Sequence, residues 1–172
     1  MRDVPKLLLA DHLKTLRLPT FLREHDKQAQ ICAAEGVDHV RYLARLTELE
    51  LIDRERRMVE RRIKSAKFPA VKSLDSFNFK AIPSLNKMMV LELARSDYVE
   101  RRENIIALGN SGTGKTHLAT ALAFSACQMG FRVRFFGVTG LVTELLERRE
   151  ERQLERFFKQ LERVDLLVLD EL

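Results

Sequence analysis

The sequence predicts an α/β protein with an open parallel sheet covered by helices, preceded by an all-helical N-terminal module. Three observations carry this. An apolar run, Ile105-Ile106-Ala107-Leu108, stops at Gly109 and passes through a loop of small residues into a helical pattern from His117. Two further strand-like runs, Arg132 to Phe136 and Asp165 to Leu169, follow it with helical periodicity between them, the order of βα units in a parallel sheet. Residues before about 67 instead show long amphipathic helical patterns.

The 172 residues suffice for a helical module and part of a second domain, and 45% hydrophobic residues are enough to build a core. No stretch approaches the ~18 to 20 apolar residues of a membrane span. Met1-Arg2-Asp3-Val4-Pro5 leads directly into an amphipathic pattern, as expected of a cytoplasmic chain. Cys32 and Cys127 lie in predicted helices without metal-ligand spacing and read as small buried residues in a reducing compartment. The net charge is +5, and its excess sits early: residues 1–70 hold fifteen Lys and Arg against eleven Asp and Glu. A nucleic-acid partner is therefore expected first in the N-terminal part.

In chain order, residues 6–17 form a short helix with Leu9, Leu13 and Leu16 on one side, broken at Leu18-Pro19. A second helix runs from about Thr20 to Glu35 and ends at Gly36, a C′ glycine. Asp38 caps a long third helix to about Ala66. Its apolar face is Tyr42, Leu46, Leu49, Ile52, Val59 and Ile63, and beside it runs a stripe of Arg54, Arg57, Arg61 and Lys64. That stripe reads as an edge laid along double-stranded DNA, or as a solvated face with Glu50 and Arg54 paired at i,i+4. Residues 68–86, with two prolines and no helical period, are a linker whose Leu74, Phe77 and Phe79 suit docking on a surface. Ser84 then caps a helix from Leu85 to about Ala94. The expected organisation is thus a helical module at 1–67, a linker at 68–86 and a sheet domain at 87–172.

The chemistry lies at Gly109-Asn110-Ser111-Gly112-Thr113-Gly114-Lys115-Thr116, a G-x-x-x-x-G-K-T loop between a predicted strand and a predicted helix. Glycines let the backbone approach a ligand closely, and the loop amides with the helix N-terminus converge on phosphate oxygens. Lys115 neutralises the β- and γ-phosphates of ATP, and the Thr116 hydroxyl binds Mg²⁺. The structural alternative is an ordinary glycine-rich turn. After it, a helix runs from His117 to Met129 with Leu118, Leu122 and Ala126 inward. Thr139 caps the next, with Leu141, Val142, Leu145 and Leu146 buried, and Arg149 to Arg163 is helical with Leu154, Phe157, Phe158 and Leu161 apolar.

Four apolar residues, Leu166 to Leu169, suit a parallel strand buried on both faces and end in Asp170-Glu171. Carboxylates at the end of such a strand lie beside the phosphate loop, where Asp170 holds Mg²⁺ and Glu171 polarises the attacking water. His117 reads as a first-turn residue touching a neighbouring element, and His12, His25 and His39 have no assigned role.

Together, S-L-D-S-F-N-F, P-S-L-N-K, the N-I-I-A-L-G-N-S-G-T-G-K-T-H-L-A run and D-L-L-V-L-D-E-L resemble the IstB-like ATPases, helpers of bacterial insertion-sequence transposition in the AAA+ clade of helicase loaders and initiators. The resemblance implies a P-loop NTPase fold, ATP and Mg²⁺ as cofactors, assembly on double-stranded DNA as a homo-oligomer, and stimulation of a transposase. It carries the phosphate loop to Gly109–Thr116, with Lys115 and Glu171 as catalytic residues and Thr116 and Asp170 on the metal. Asn110-Ser111 stands where the family commonly has a proline-containing pair, and both residues suit a turn.

Family members continue past D-E-L with two more strands, a sensor residue, an arginine finger and a helical lid, so the chain resembles a C-terminally truncated member. Strand 105–108 is then expected to lack its neighbours, so that the chain folds poorly in isolation or survives as a helical module with a loosened core. Whether it hydrolyses ATP stays open, because an arginine finger is worth ~10³ to 10⁵ in rate. The alternatives are a non-hydrolysing remnant that only binds nucleotide, DNA or a partner, and a helicase-loader-like ATPase. Phe77 and Phe79 either touch the adenine or only pack the linker.

Overall fold

The computed structural model describes residues 4–171. Residues 1–3, placed above in the helical module, and Leu172, quoted with the second motif, lie outside them. The chain divides into two compact units, one up to Met58 and one from Val59.

The first unit contains α1 (Val4–Thr15), α2 (Pro19–Glu35) and the larger part of α3 (His39–Ala66). Pro19 opens α2 in the first turn, where its missing N–H costs no helical hydrogen bond. Gly36, at φ +66°, closes the helix in the left-handed conformation while the Val37 amide donates to the Cys32 carbonyl at 2.9 Å. Asp38 begins α3 by accepting from the Arg41 amide at 2.9 Å.

The residue preceding α2 is Leu18, which has no side-chain oxygen to cap the helix. The cap comes from α3 instead. Glu50 Oε2 accepts from the Thr20 amide at 2.9 Å, and the Thr20 hydroxyl donates to Asp53 Oδ2 at 2.8 Å. Arg57 donates to the other Glu50 oxygen at 2.8 Å, so the buried carboxylate is fully engaged. Burial pushes the Glu50 carboxyl up, but the bonds from Thr20 and Arg57 outweigh it and hold it below the usual range. Hydrogen bonds from Arg56 and Thr20 bring Asp53 down to about 2.

The second unit is built on a two-stranded parallel sheet. β1 (Val133–Gly137) pairs with β2 (Leu166–Asp170) in the register Val133–Leu166 to Gly137–Asp170. The crossover carries α7 (Val138–Glu150) and α8 (Leu154–Leu161), separated by Arg152 at φ +57°. α6 (Lys115–Gln128) lies on the sheet, and Ala123, Ala126 and Cys127 pack with Ala66 and Ile63 of the last turns of α3, Val133, and Leu166 and Val168 of β2. Small side chains on α6 and α3 permit that close approach. Burial pushes the Cys127 thiol up to about 11, in keeping with its expected inert role. At the sheet entrance Asp165 accepts from the Arg132 amide at 2.7 Å and from its guanidinium at 2.8 and 3.0 Å, pinning both strands in register.

Several expectations need correction. Residues 105–108 form no strand: β1 and β2 pair only with each other, and Ile106 and Leu108 are 79% and 89% exposed. An extended segment becomes a strand only when another backbone takes its hydrogen bonds, and among the described residues none pairs with it. β2 is not buried on both faces, since Leu167 and Leu169 are exposed. Leu9, Leu16, Ile52, Val142, Leu146 and Phe158, assigned to apolar faces, are also exposed. α4 (Lys87–Leu93) is capped by Asn86 rather than Ser84, with the Met89 amide donating to Asn86 Oδ1 at 3.1 Å. α7 begins one residue before Thr139. The linker holds two single 3₁₀ turns, Leu74–Ser76 and Phe79–Ala81, and α5 (Asp97–Glu100) is one turn long. Among the described residues no helix is long and apolar enough to cross a membrane.

The carboxylates that cap α2 make this unit acid-labile. Because Asp53 and Glu50 are depressed in the fold, the stability they contribute is present above their unfolded values and is lost as pH falls through the folded ones. Amide exchange in α2 should accelerate as pH falls from about 4 to about 2, after correction for intrinsic exchange. Asp53→Asn should weaken that dependence. An unchanged acid profile in the variant would remove Asp53 from the account.

Candidate phosphate-binding site

The loop Gly109–Thr116 joins the extended segment 105–108 to α6. Gly114 precedes the helix at φ +84° and Gly112 sits at φ +77°, the left-handed region that side chains rarely enter. The Thr113 hydroxyl donates to the Asn110 carbonyl at 2.8 Å and closes the loop on itself. With the chain turned this way, the backbone amides of Ser111 to His117 donate to no protein group among the described residues. The first regular bond runs from the Leu118 amide to the Gly114 carbonyl at 2.9 Å. These are the unsatisfied donors of a helix N-terminus, gathered at one place and carrying the positive end of the helix dipole.

Lys115 adds the charge. Its ammonium donates to the carbonyls of Gly109 at 2.7 Å and Asn110 at 2.8 Å, so it lies across the mouth of the loop. The Thr116 hydroxyl donates to Asp170 Oδ1 at 3.1 Å. The two residues are 54 positions apart and meet because α6 lies on β2, with Asp170 the last residue of that strand. A hydroxyl and a carboxylate are hard oxygen donors of the kind Mg²⁺ takes. Glu171 follows Asp170, exposed, at φ +60°.

The linker packs on the same loop. Phe77 is buried; a Cβ on Gly114 would lie 3.2 Å from Phe77 Cε2. Its ring meets Phe79 at 4.9 Å and the His117 ring at 5.2 Å, both edge-on. Lys87 lies 5.4 Å from the centre of the Phe79 ring. His117 touches a neighbouring element, as the sequence suggested, and that element is the linker: Nε2 lies 3.3 Å from the Ser73 carbonyl and 3.2 Å from Ser76 Oγ. No local pattern marks Ser73 and Ser76 as its partners.

Of the basic residues on α3, Arg54 pairs with Glu50 at 3.6 Å, and Arg57 with Glu50 at 2.8 Å and Asp53 at 3.6 Å. Arg61 and Lys64 are both exposed, one turn apart on the same edge of α3.

An extended segment leading into a left-handed glycine loop and a helix, with a lysine across the loop mouth and a threonine–aspartate contact to a strand end, defines a P-loop NTPase domain. The sequence profile of IstB-like ATP-binding proteins matches residues 11–172, and the chain belongs to that family. It is 38% identical over 161 residues, 93% of its length, to a protein named as an insertion-sequence ATP-binding protein of Sinorhizobium fredii, covering 54% of that relative. The IS21 ATP-binding protein of Pseudomonas aeruginosa is 39% identical over 140 residues, 81% of the chain and 53% of the relative. The IS5376 ATP-binding protein of Geobacillus stearothermophilus is 30% identical over 162 residues, 94% of the chain and 64% of the relative. The chain thus spans between about half and two-thirds of the length of these curated relatives.

Gly114 is the most constrained position in the loop. Gly114→Ala should destabilise the second unit by about 1–3 kcal/mol through left-handed strain, with Phe77 displaced in addition. Chemical denaturation followed by residue-resolved hydrogen exchange measures this, and native protection of α6 in the variant would contradict it.

Proposed function

We propose that this chain is an ATP-binding helper of DNA transposition, acting in the cytoplasm on double-stranded DNA with a partner transposase. The observation that carries the nucleotide part is the set of amides from Ser111 to His117, unpaired among the described residues, beside the Lys115 ammonium. Anionic oxygens of a triphosphate satisfy those donors, and Lys115 exchanges its two carbonyl partners for phosphate oxygens, a stronger charge-assisted pairing. Thr116 and Asp170 would hold Mg²⁺, which would supply positive charge to offset that of the phosphates. Glu171 orients the attacking water by accepting its proton if turnover occurs. The transposition context is supported by the names of the relatives, all ATP-binding proteins of insertion sequences.

The test is titration of a fluorescent ATP analogue with Mg²⁺ into the chain and into Lys115→Ala. Saturable binding lost in the variant is the expected result, and equal binding by both would overturn the phosphate-loop reading. Asp170→Asn should reduce the Mg²⁺-dependent part of the affinity more than the Mg²⁺-free part.

For DNA, Arg54, Arg57, Arg61 and Lys64 remain the proposed contacts. Arg61 and Lys64 carry the greater weight, because Arg54 and Arg57 already face Glu50. Affinity for duplex DNA should fall steeply with salt, and replacing Arg61 and Lys64 by Gln should lower the log–log slope by about 1 for each phosphate no longer neutralised. A slope unchanged in the double variant would place DNA elsewhere.

A further inference from the structure

The phosphate loop is held by more than its own residues. The Ser73 carbonyl can only accept, so His117 Nε2, 3.3 Å away, carries the proton and donates to it. The Ser76 hydroxyl donates to the same carbonyl at 2.8 Å and lies 3.2 Å from Nε2, closing a three-membered knot. This knot ties the 3₁₀ turn Leu74–Ser76 to the first turn of α6. Next to it, the buried Phe77 ring sits against the Gly114 backbone and the edge of the His117 ring, with Ile82 Cδ1 on the same side. The knot therefore clasps the turn of helix whose amides are free, from outside the loop.

We propose that His117, with Phe77, is a positioning residue that latches the linker to the phosphate loop, so that nucleotide binding and linker docking stabilise each other. This rests on the nucleotide-binding reading above. The physical basis is reciprocal. A polyphosphate orders the loop amides and the first turn of α6, and hence the His117 ring that holds Ser73. A docked linker in turn packs Phe77 against Gly114 and holds the loop in its phosphate-facing shape. His117 needs no contact with nucleotide to do this, and its substitution acts on affinity through geometry alone.

The experiment pairs two readouts on the full chain, using the fluorescent ATP analogue with Mg²⁺ and limited trypsin digestion. Lys72 and Lys80 flank the latch and are exposed, so cleavage after them reports whether the linker is docked. In the unmodified chain, nucleotide should slow cleavage at both. His117→Ala should weaken nucleotide binding about two- to tenfold, the equivalent of one hydrogen bond, and remove the nucleotide-dependent protection. His117→Gln, whose amide nitrogen reaches the place of Nε2, should restore both, whereas His117→Asn, one bond too short, should not.

A merely structural role for the ring would show no such split between Gln and Asn and no dependence on nucleotide. If the unmodified chain binds the analogue and His117→Ala binds it equally, with protection retained, the latch is wrong and the nucleotide reading stands. If the unmodified chain fails to bind at all, the nucleotide reading falls and the latch with it. Phe77→Leu guards against gross unfolding: it keeps an apolar side chain yet loses the ring edge on His117, and it should reduce protection without abolishing binding.

Discussion

A helix cannot satisfy its own first turn, and in this chain the consequence falls at Lys115, where α6 begins with Gly114 left-handed and the amides back to Ser111 have no carbonyl partners among the described residues. A side-chain cap would quench those donors, but the residue at the cap is glycine, which has none. The donors therefore keep no protein partner among the described residues, and the proposed phosphate site is built around them. Lys115 brings charge to the mouth of the loop, α6 lies against β2 so that Thr116 meets Asp170, and Phe77 occupies the side of Gly114 where a Cβ would otherwise project.

The first unit solves the same problem the opposite way. The N-terminus of α2 is also uncapped from within, since Leu18 precedes it, but Glu50 and Asp53 reach over from α3 and consume the Thr20 amide and hydroxyl. There the carboxylates are protein groups, so that terminus is spent on holding two helices together. One helix start is sealed by an internal anion, the other is open to an external one.

The sheet shows why a short β signal is weak evidence by itself. Residues 105–108 have the composition of a buried strand, yet among the described residues their backbone bonds to no neighbour, and Leu108 is among the most exposed apolar residues. Val133–Gly137 and Leu166–Asp170 have similar composition and do pair, because Asp165 and Arg132 pin their entrances and α6 covers them. β2 then alternates between half-buried and exposed residues, with Leu167 and Leu169 on the exposed side.

Local rules were legible without coordinates: the helix at Pro19, its end at Gly36, the Asp38 cap and the glycine loop opening α6 all depend on residues within one or two turns of each other. So was the pairing of chemical motifs, since a phosphate loop and an Asp170 strand end are specified by residue type and spacing. Tertiary structure alone decided the rest. Glu50 caps α2 from thirty positions away, and His117 finds Ser73 across 44. Whether an apolar run becomes a strand was likewise settled only by which backbone lay beside it. Helix signals are written in bonds between near neighbours, whereas strands, inter-helix caps and latches need a partner that the chain must bring back from elsewhere.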